Sequence, residues 1–379
     1  MRLLDTDASD EPPYSLLRQE DVVAFLCRRG LMKPEHIVTG ACDVIDSSRR
    51  NRNFKVISER GPGYLIKQGL GDERRRTVAH EAAMYQFLGS LPQSRAIAGL
   101  LPKLRLYDCD RSLLVLELVR NGRTVGELNR ARGQFPRYIA RALGEAVGLF
   151  HAFGASKAVQ SAYTRQFAVG VPFGLSLQRP DLQIFRHASQ AAIDLVRIVQ
   201  QADGLPDFLD QLRINWTYDG LIHGDLRWDN CTVSTGTTVR RKPQITFVDW
   251  ELAGCGDPCW DVGTVFGEYL SCWLLSAPLS ESTPPERYLT LARYSLESMQ
   301  PSMRAFWSAY VSILALSSER AVELLIRVVR YTAARLVQTA FERVQMAAQV
   351  TGQTIFLIQV SKNMFDRPQQ AAITLLGIP

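Results

Sequence analysis

Two stretches decide the fold: Gly220–Val233, GLIHGDLRWDNCTV, and Ile245–Gly263, ITFVDWELAGCGDPCWDVG. In the first, the apolar pair Leu221 and Ile222 leads into His223-Gly224-Asp225. Asn230 follows, and an apolar run, Cys231–Val233, comes next. In the second, a strand pattern delivers Asp249 at its end, then Glu251, a glycine-rich loop and Asp261. Two strands flanked by turns would bring Asp225, Asn230 and Asp249 together at one end of a small hairpin. Asp and Asn also favour turns for purely local reasons, but turn preference alone rarely yields this set in this order.

These residue types suit phosphoryl transfer. Mg²⁺ on nucleotide phosphates takes a few hard oxygen ligands rather than a full protein cage. Asn230 and Asp249 offer an amide oxygen and a carboxylate. A further carboxylate, Asp225, can orient an attacking hydroxyl and accept its proton. Arg227, close by in the chain, is a candidate for stabilising transition-state charge.

The two stretches resemble the aminoglycoside phosphotransferase and choline kinase family, within the protein-kinase-like superfamily. The resemblance rests on HGDLRWDN (His223–Asn230) and VDWELAGCGDPCWDVG (Val248–Gly263), and extends over about residues 15–350. It implies an α+β, bilobal protein-kinase-like fold. A small antiparallel-sheet N-lobe, residues 1–119, would carry a leading helix, five strands and a Lys/Glu helix, and bind nucleotide. A larger, mainly helical C-lobe, residues 120–379, would carry a catalytic loop at 223–230, a metal loop at 249–263 and substrate-binding helices. The implied activity is an O-phosphotransferase using ATP (or GTP) and Mg²⁺. Asp225 is then the catalytic aspartate, and Asn230 and Asp249 are the metal ligands. Asp261 braces the catalytic loop from the helix behind it, and His223 holds the loop's backbone. Arg227 takes the register in which protein kinases carry a lysine near the transferring phosphate.

The residues before Arg120 fit this from their own pattern. Gln19–Arg29 has helical apolar spacing and stops at Gly30. Strand-like runs follow at Cys42–Asp46, Asn53–Ser58 and Tyr64–Gln68, the last two joined by Glu59-Arg60-Gly61-Pro62-Gly63. Arg74–Leu88 reads as a helix, and Leu104–Tyr107 and Leu113–Val119 read as strands. Lys67 is a lone cation on the apolar strand YLIKQ; buried, it needs an anion. A nucleotide phosphate plus a helix Glu would satisfy it, and Glu81 matches the family's pattern, with His80 on a neighbouring position. The alternative for Lys67 is a solubilising charge on an edge strand. No G-x-G-x-x-G occurs; Asp46–Phe54, DSSRRNRNF, takes its place between two strands. The resemblance makes this the nucleotide loop, with Ser48 and Asn51 donating to phosphates and three arginines at hand. It also makes Glu117–Val119 the hinge that meets the adenine edge.

Beyond Thr124, helical patterns dominate: Arg137–Phe153, Asp181–Gln201, Arg287–Met299, Met303–Ser317 and Glu319–Gln349. The chain has 379 residues, 46% hydrophobic and 22% charged, with net charge +6. Its positive excess is not gathered into a stripe, which speaks against a nucleic-acid binder. Its apolar runs are shorter than a membrane span needs. Seven scattered cysteines read as reduced thiols. The early acidic turn at Asp5 does not read as a signal peptide. Together these point to a cytoplasmic protein.

The acceptor is less legible. Residues 271–379 hold seven Asp/Glu against ten Lys/Arg, a poor composition for a polycationic antibiotic. Trp228, Trp250 and Trp260 read either as packing or as an aromatic wall for a substrate. A small-molecule hydroxyl is the leading expectation. The alternative is a peptide Ser/Thr hydroxyl, as in kinases of modified-peptide biosynthesis, with Arg165, Arg179, Arg186 and Arg213 meeting an acidic segment. A pseudokinase-type binding module is less favoured, since Lys67, Asp225, Asn230 and Asp249 are all present.

Overall fold

A computed structural model describes residues 16–38, 42–48, 51–163, 167, 170–181, 188–234, 242–278 and 289–379. They divide into two units. The first takes the described residues up to Ser94, Leu101–Gly122 and Asp249–Glu251. The second takes Arg95–Leu100, Arg123–Val248 and Leu252–Pro379.

The first unit begins with a 3-10 turn, Gln19–Asp21, then α1 (Val22–Arg28) and α2 (Pro34–Val38). Strands β1 (Cys42–Asp46), β2 (Arg52–Ser58) and β3 (Tyr64–Gln68) are followed by α3 (Gly71–Ser90), β4 (Leu104–Asp108) and β5 (Leu113–Glu117). They form one antiparallel sheet in the order β1-β2-β3-β5-β4. Alternate residues Phe54, Val56, Tyr64, Ile66, Leu113 and Val115 share a buried cluster with Val22, Phe25 and Leu26 of α1. This period of two is why these runs form strands with one covered face. Lys67 pairs across to Asn53 on one side and Leu114 on the other, so it sits mid-sheet rather than on an edge.

The second unit opens with β6 (Arg123–Thr124) and α4 (Val125–Arg132). Thr124 and Glu127 cap α4 reciprocally, at 3.0 and 2.8 Å. Then come α5 (Arg137–Gly154), α6 (Lys157–Tyr163), α7 (Gln190–Gln201) and α8 (Leu205–Ile214). Short strands β7 (Gly220–Ile222), β8 (Cys231–Ser234), β9 (Gln244–Phe247) and β10 (Gly254–Gly256) follow. Helices α9 (Pro258–Leu275), α10 (Leu296–Ile313), α11 (Ser318–Val344), α12 (Gly352–Asp366) and α13 (Pro368–Thr374) complete it. β6, β8 and β9 form one antiparallel sheet, and β7 pairs with β10. Among the described residues no helix is long and apolar enough to cross a membrane.

Several helix expectations need correction. The helix expected over Asp181–Gln201 starts at Gln190, where Ser189 caps it; residues 182–187 lie outside the described ones. The two helices expected at Arg287–Met299 and Met303–Ser317 are replaced by one, α10, capped by Ser295. Pro301 inside it lacks the N–H that would reach Glu297. The helix continues because Met299, Met303, Phe306 and Tyr310 are buried on both sides of the proline. α11 ends at Val344 rather than Gln349, and α12 and α13 follow beyond the expected helices.

α5 packs closely on α10 because Gly144 has no side chain. A Cβ there would stand 2.2 Å from the Phe306 carbonyl oxygen. Gly144→Ala would gain about 1 kcal/mol of helix propensity but would overpack a helix interface, at about 1–3 kcal/mol. With backbone as the obstacle the clash dominates. We expect a net loss of about 1 kcal/mol in chemical denaturation; a stabilised variant would contradict this packing.

Candidate active site

The 223–230 loop hangs on α9. Asp257 caps that helix, accepting from Cys259 N at 3.0 Å, with Pro258 in its first turn. One turn in, Asp261 accepts two successive loop amides: His223 N at 2.7 Å and Gly224 N at 2.9 Å. Its Oδ2 also faces His151 Nε2 at 3.3 Å, and His151 Nδ1 lies 3.0 Å from the Tyr310 hydroxyl. Asp261 is fully buried, so these donors offset the desolvation of its carboxylate. His151, which has no motif around it in the sequence, thereby becomes part of the loop's support. His223 Nε2 lies 3.0 Å from the Val248 carbonyl, which can only accept, so that nitrogen carries the proton. Nδ1 then receives Asp225 N at 3.4 Å. Gly224 takes φ +80°, and its carbonyl accepts from Trp260 Nε1 at 3.0 Å.

Asp225 comes out of this turn mostly buried. Its Oδ2 accepts from Arg227 Nε (3.0 Å), Arg227 Nη2 (2.7 Å) and Asn230 Nδ2 (3.0 Å). Asn230 Nδ2 also donates to the Asp225 carbonyl at 2.8 Å. Burial works against the Arg227 charge, but Asp225 and Glu342 outweigh it and hold the guanidinium above its ordinary pKa. Glu342, on α11, pairs with the buried Arg335 at 2.9 Å and lies 3.7 Å from Arg227 Nη1. Glu268 of α9 accepts from Trp228 N at 3.2 Å, and burial pushes its carboxyl pKa up.

A second set lies in the first unit. Lys67 Nζ contacts both Glu81 oxygens, at 3.0 and 2.8 Å, and Asp249 Oδ1 at 2.5 Å. Burial alone would lower its pKa; Glu81 and Asp249 reverse that and raise it. The partner is Glu81 rather than its neighbour His80. Glu81 also accepts from Trp250 N at 3.3 Å, and burial raises its pKa. Asp249 adopts φ +68°, a left-handed conformation that Asp tolerates better than most residues. The expected strand pair does form, between β8 and β9. Asn230 precedes β8, and Asp249 lies two residues past β9.

The remaining expected residues are placed as follows. The Ser48 hydroxyl is engaged within its own hairpin, accepting from Asn53 N at 3.0 Å. Asn51 is buried, and its Oδ1 has no partner among the described residues. Arg49 and Arg50 lie outside the described residues. Glu117 pairs with Arg105, 2.9 Å from Nε, and its N–H goes to the Lys103 carbonyl. Leu118 N donates to Gly63 O, while Val119 N has no backbone partner among the described residues. Trp228, Trp250 and Trp260 are fully buried, so they pack rather than wall a pocket. Arg179 and Arg213 both turn to Asp210, at 2.7 and 3.9 Å; Arg165 and Arg186 lie outside the described residues.

Sequence reasoning missed Glu268, Arg335 and Glu342. A signal existed: Arg335, Gln338 and Glu342 share one face of α11 at helical spacing, and Arg335 interrupts an otherwise apolar run.

A family model described as the phosphotransferase enzyme family matches residues 42–306. Among solved structures, the choline kinase of Cryptosporidium parvum Iowa II is similar at 12% identity and TM-score 0.55, over 95% of this chain and 99% of that one. A choline/ethanolamine kinase family protein from Mesorhizobium loti is similar at 16% identity and TM-score 0.51, over 92% and 96%. At such identities the likeness is one of fold, the bilobal kinase-like α+β fold. The curated proteins searched include no match.

Proposed function

The chain belongs to the phosphotransferase enzyme family, and from that premise we propose that it moves the γ-phosphate of ATP (or GTP) to a small-molecule hydroxyl, with Mg²⁺. The observation that carries the nucleotide reading is the Lys67 set. One buried cation faces two carboxylates, and the Asp249 side chain is 35% exposed. A divalent cation on the exposed carboxylate would let Lys67 turn to the phosphate oxygens that arrive with it.

The donor chemistry fits Mg²⁺. Asp249 offers a carboxylate oxygen, and Asn230, with Nδ2 committed to Asp225, offers Oδ1. Bound Mg²⁺ would neutralise phosphate charge. In this reading Lys67 holds phosphate oxygens and Glu81 fixes Lys67. Ser48 and Asn51 belong to the phosphate-covering loop, and the Glu117–Val119 backbone meets the adenine edge. Asp225 orients the acceptor hydroxyl and takes its proton, while Arg227 steadies the transferring phosphoryl group. His223 and Asp261 hold the loop that carries them.

Asp249→Ala is expected to weaken Mg-nucleotide binding about 10- to 100-fold, the worth of a charge-assisted contact. Calorimetric titration with and without Mg²⁺ measures it; unchanged affinity would remove Asp249 from the ligand set. For the acceptor, transfer from γ-labelled ATP into host-cell extract, split by size, is the direct experiment. Label in the small-molecule fraction supports the reading. Label confined to peptides would replace it with the peptide acceptor.

A further inference from the structure

We infer that Glu342 is a positioning residue for Arg227, giving its guanidinium a second carboxylate so that it can release Asp225 during the reaction. The inference rests on the reading of Asp225 and Arg227 above and extends it to a residue outside both motifs.

Four charges alternate around a closed ring. Arg227 Nη2 is 2.7 Å from Asp225 Oδ2, and Arg227 Nη1 is 3.7 Å from Glu342 Oε2. Glu342 Oε1 is 2.9 Å from Arg335 Nη1, and Arg335 Nη2 is 3.9 Å from Asp225 Oδ1. The members differ in freedom. The Arg335 side chain is 2% exposed and locked in place. Glu342 is fixed by Arg335 and by Gln338, whose Nε2 donates to it at 2.9 Å; Gln338 is held in turn by Gly174 N at 3.2 Å. Arg227, 42% exposed, is the member with room to move.

The movement is Arg227's: Asp225 Oδ2 already receives three N–H groups, and Oδ1 is the oxygen left for a hydroxyl proton. Bidentate on Oδ2, Arg227 has Nε and Nη2 committed there, and presenting this edge to a phosphoryl group means letting Asp225 go. Its two demands conflict unless another anion shares it. Glu342 is suited to this: burial opposes its charge, but Arg335 and Arg227 outweigh burial and keep its pKa low. Glu268, the other carboxylate acting on Arg227, is committed to Trp228 N.

The test compares Glu342→Gln, Arg227→Ala and the double variant in Mg-ATP turnover, with the labelled acceptor or with water as acceptor. Glu342→Gln keeps its size and can still accept from Arg335 and Gln338. We expect kcat to fall about tenfold or more, as for a misplaced transition-state contact, with KM for ATP changed less than about twofold. Glu342→Asp should recover part of the loss. In the Arg227→Ala background, Glu342→Gln should cost nothing further, because its effect runs through Arg227. Should Glu342→Gln unfold at lower temperature, Arg227→Lys is the second variant. It keeps the charge but cannot span both carboxylates, and the same fall in kcat is expected. Additive losses in the double variant, or an unchanged kcat in Glu342→Gln or Arg227→Lys, would overturn the inference. Full activity in Asp225→Asn would instead overturn the underlying reading.

Discussion

Asp225→Asn is expected to lower phosphoryl transfer about 10³-fold, within the range that a positioned general base supplies. Arg227 and Asn230 present only donors to Oδ2, so the new amide must turn its oxygen toward them. Its NH₂ then occupies the Oδ1 position, a donor where an acceptor hydroxyl needs a proton acceptor. Mg-nucleotide affinity should hold within about twofold, since Lys67, Glu81 and Asp249 form their own set. Label transfer and nucleotide titration on the same preparation separate the two effects. Near wild-type transfer would mean that another group takes the proton.

Gly224→Ala is expected to be nearly as damaging without removing any chemical group. At φ +80° an L side chain costs about 1–2 kcal/mol. A Cβ would also stand 2.3 Å from the Leu252 carbonyl oxygen, which is backbone and cannot swing aside. The loop can relieve the clash only by pulling its amides off Asp261, which binds them at 2.7 and 2.9 Å. Asp225 is the next residue, so a shift near 1 Å there should lower kcat about 10²-fold. Thermal unfolding and kinetics together decide this. A variant with unchanged melting temperature and kcat would mean that the turn tolerates a side chain.

The legible parts were those whose signals are local. β1 and β3 fall on their expected residues because alternation and the Gly61-Pro62-Gly63 turn fix register within a few residues. α10 was misread because Pro301 is a strong local stop. Its contradiction, packing on α5, comes from far along the chain. α12 is different: its buried residues Thr354, Leu357, Ile358, Ser361, Met364 and Phe365 recur at helical spacing behind a Thr351 cap, so its signal was local and legible.

The site divides in the same way. The order His223-Gly224-Asp225, Asn230, Asp249 and Asp261 is written in the sequence, because a loop that must bend, brace and present carboxylates needs those residue types at those spacings. What the order cannot carry is partnership. Only the folded chain puts His151 and Tyr310 behind Asp261, commits the Ser48 hydroxyl to Asn53, and turns Asp249 to φ +68°. Only packing of α11 brings Arg335 and Glu342 to Asp225 and Arg227, from more than a hundred residues away. The spacing of chemical groups along a loop is set by covalent geometry and is visible in one dimension. The pairing of charges across helices is set by which buried faces meet, and that exists only in three.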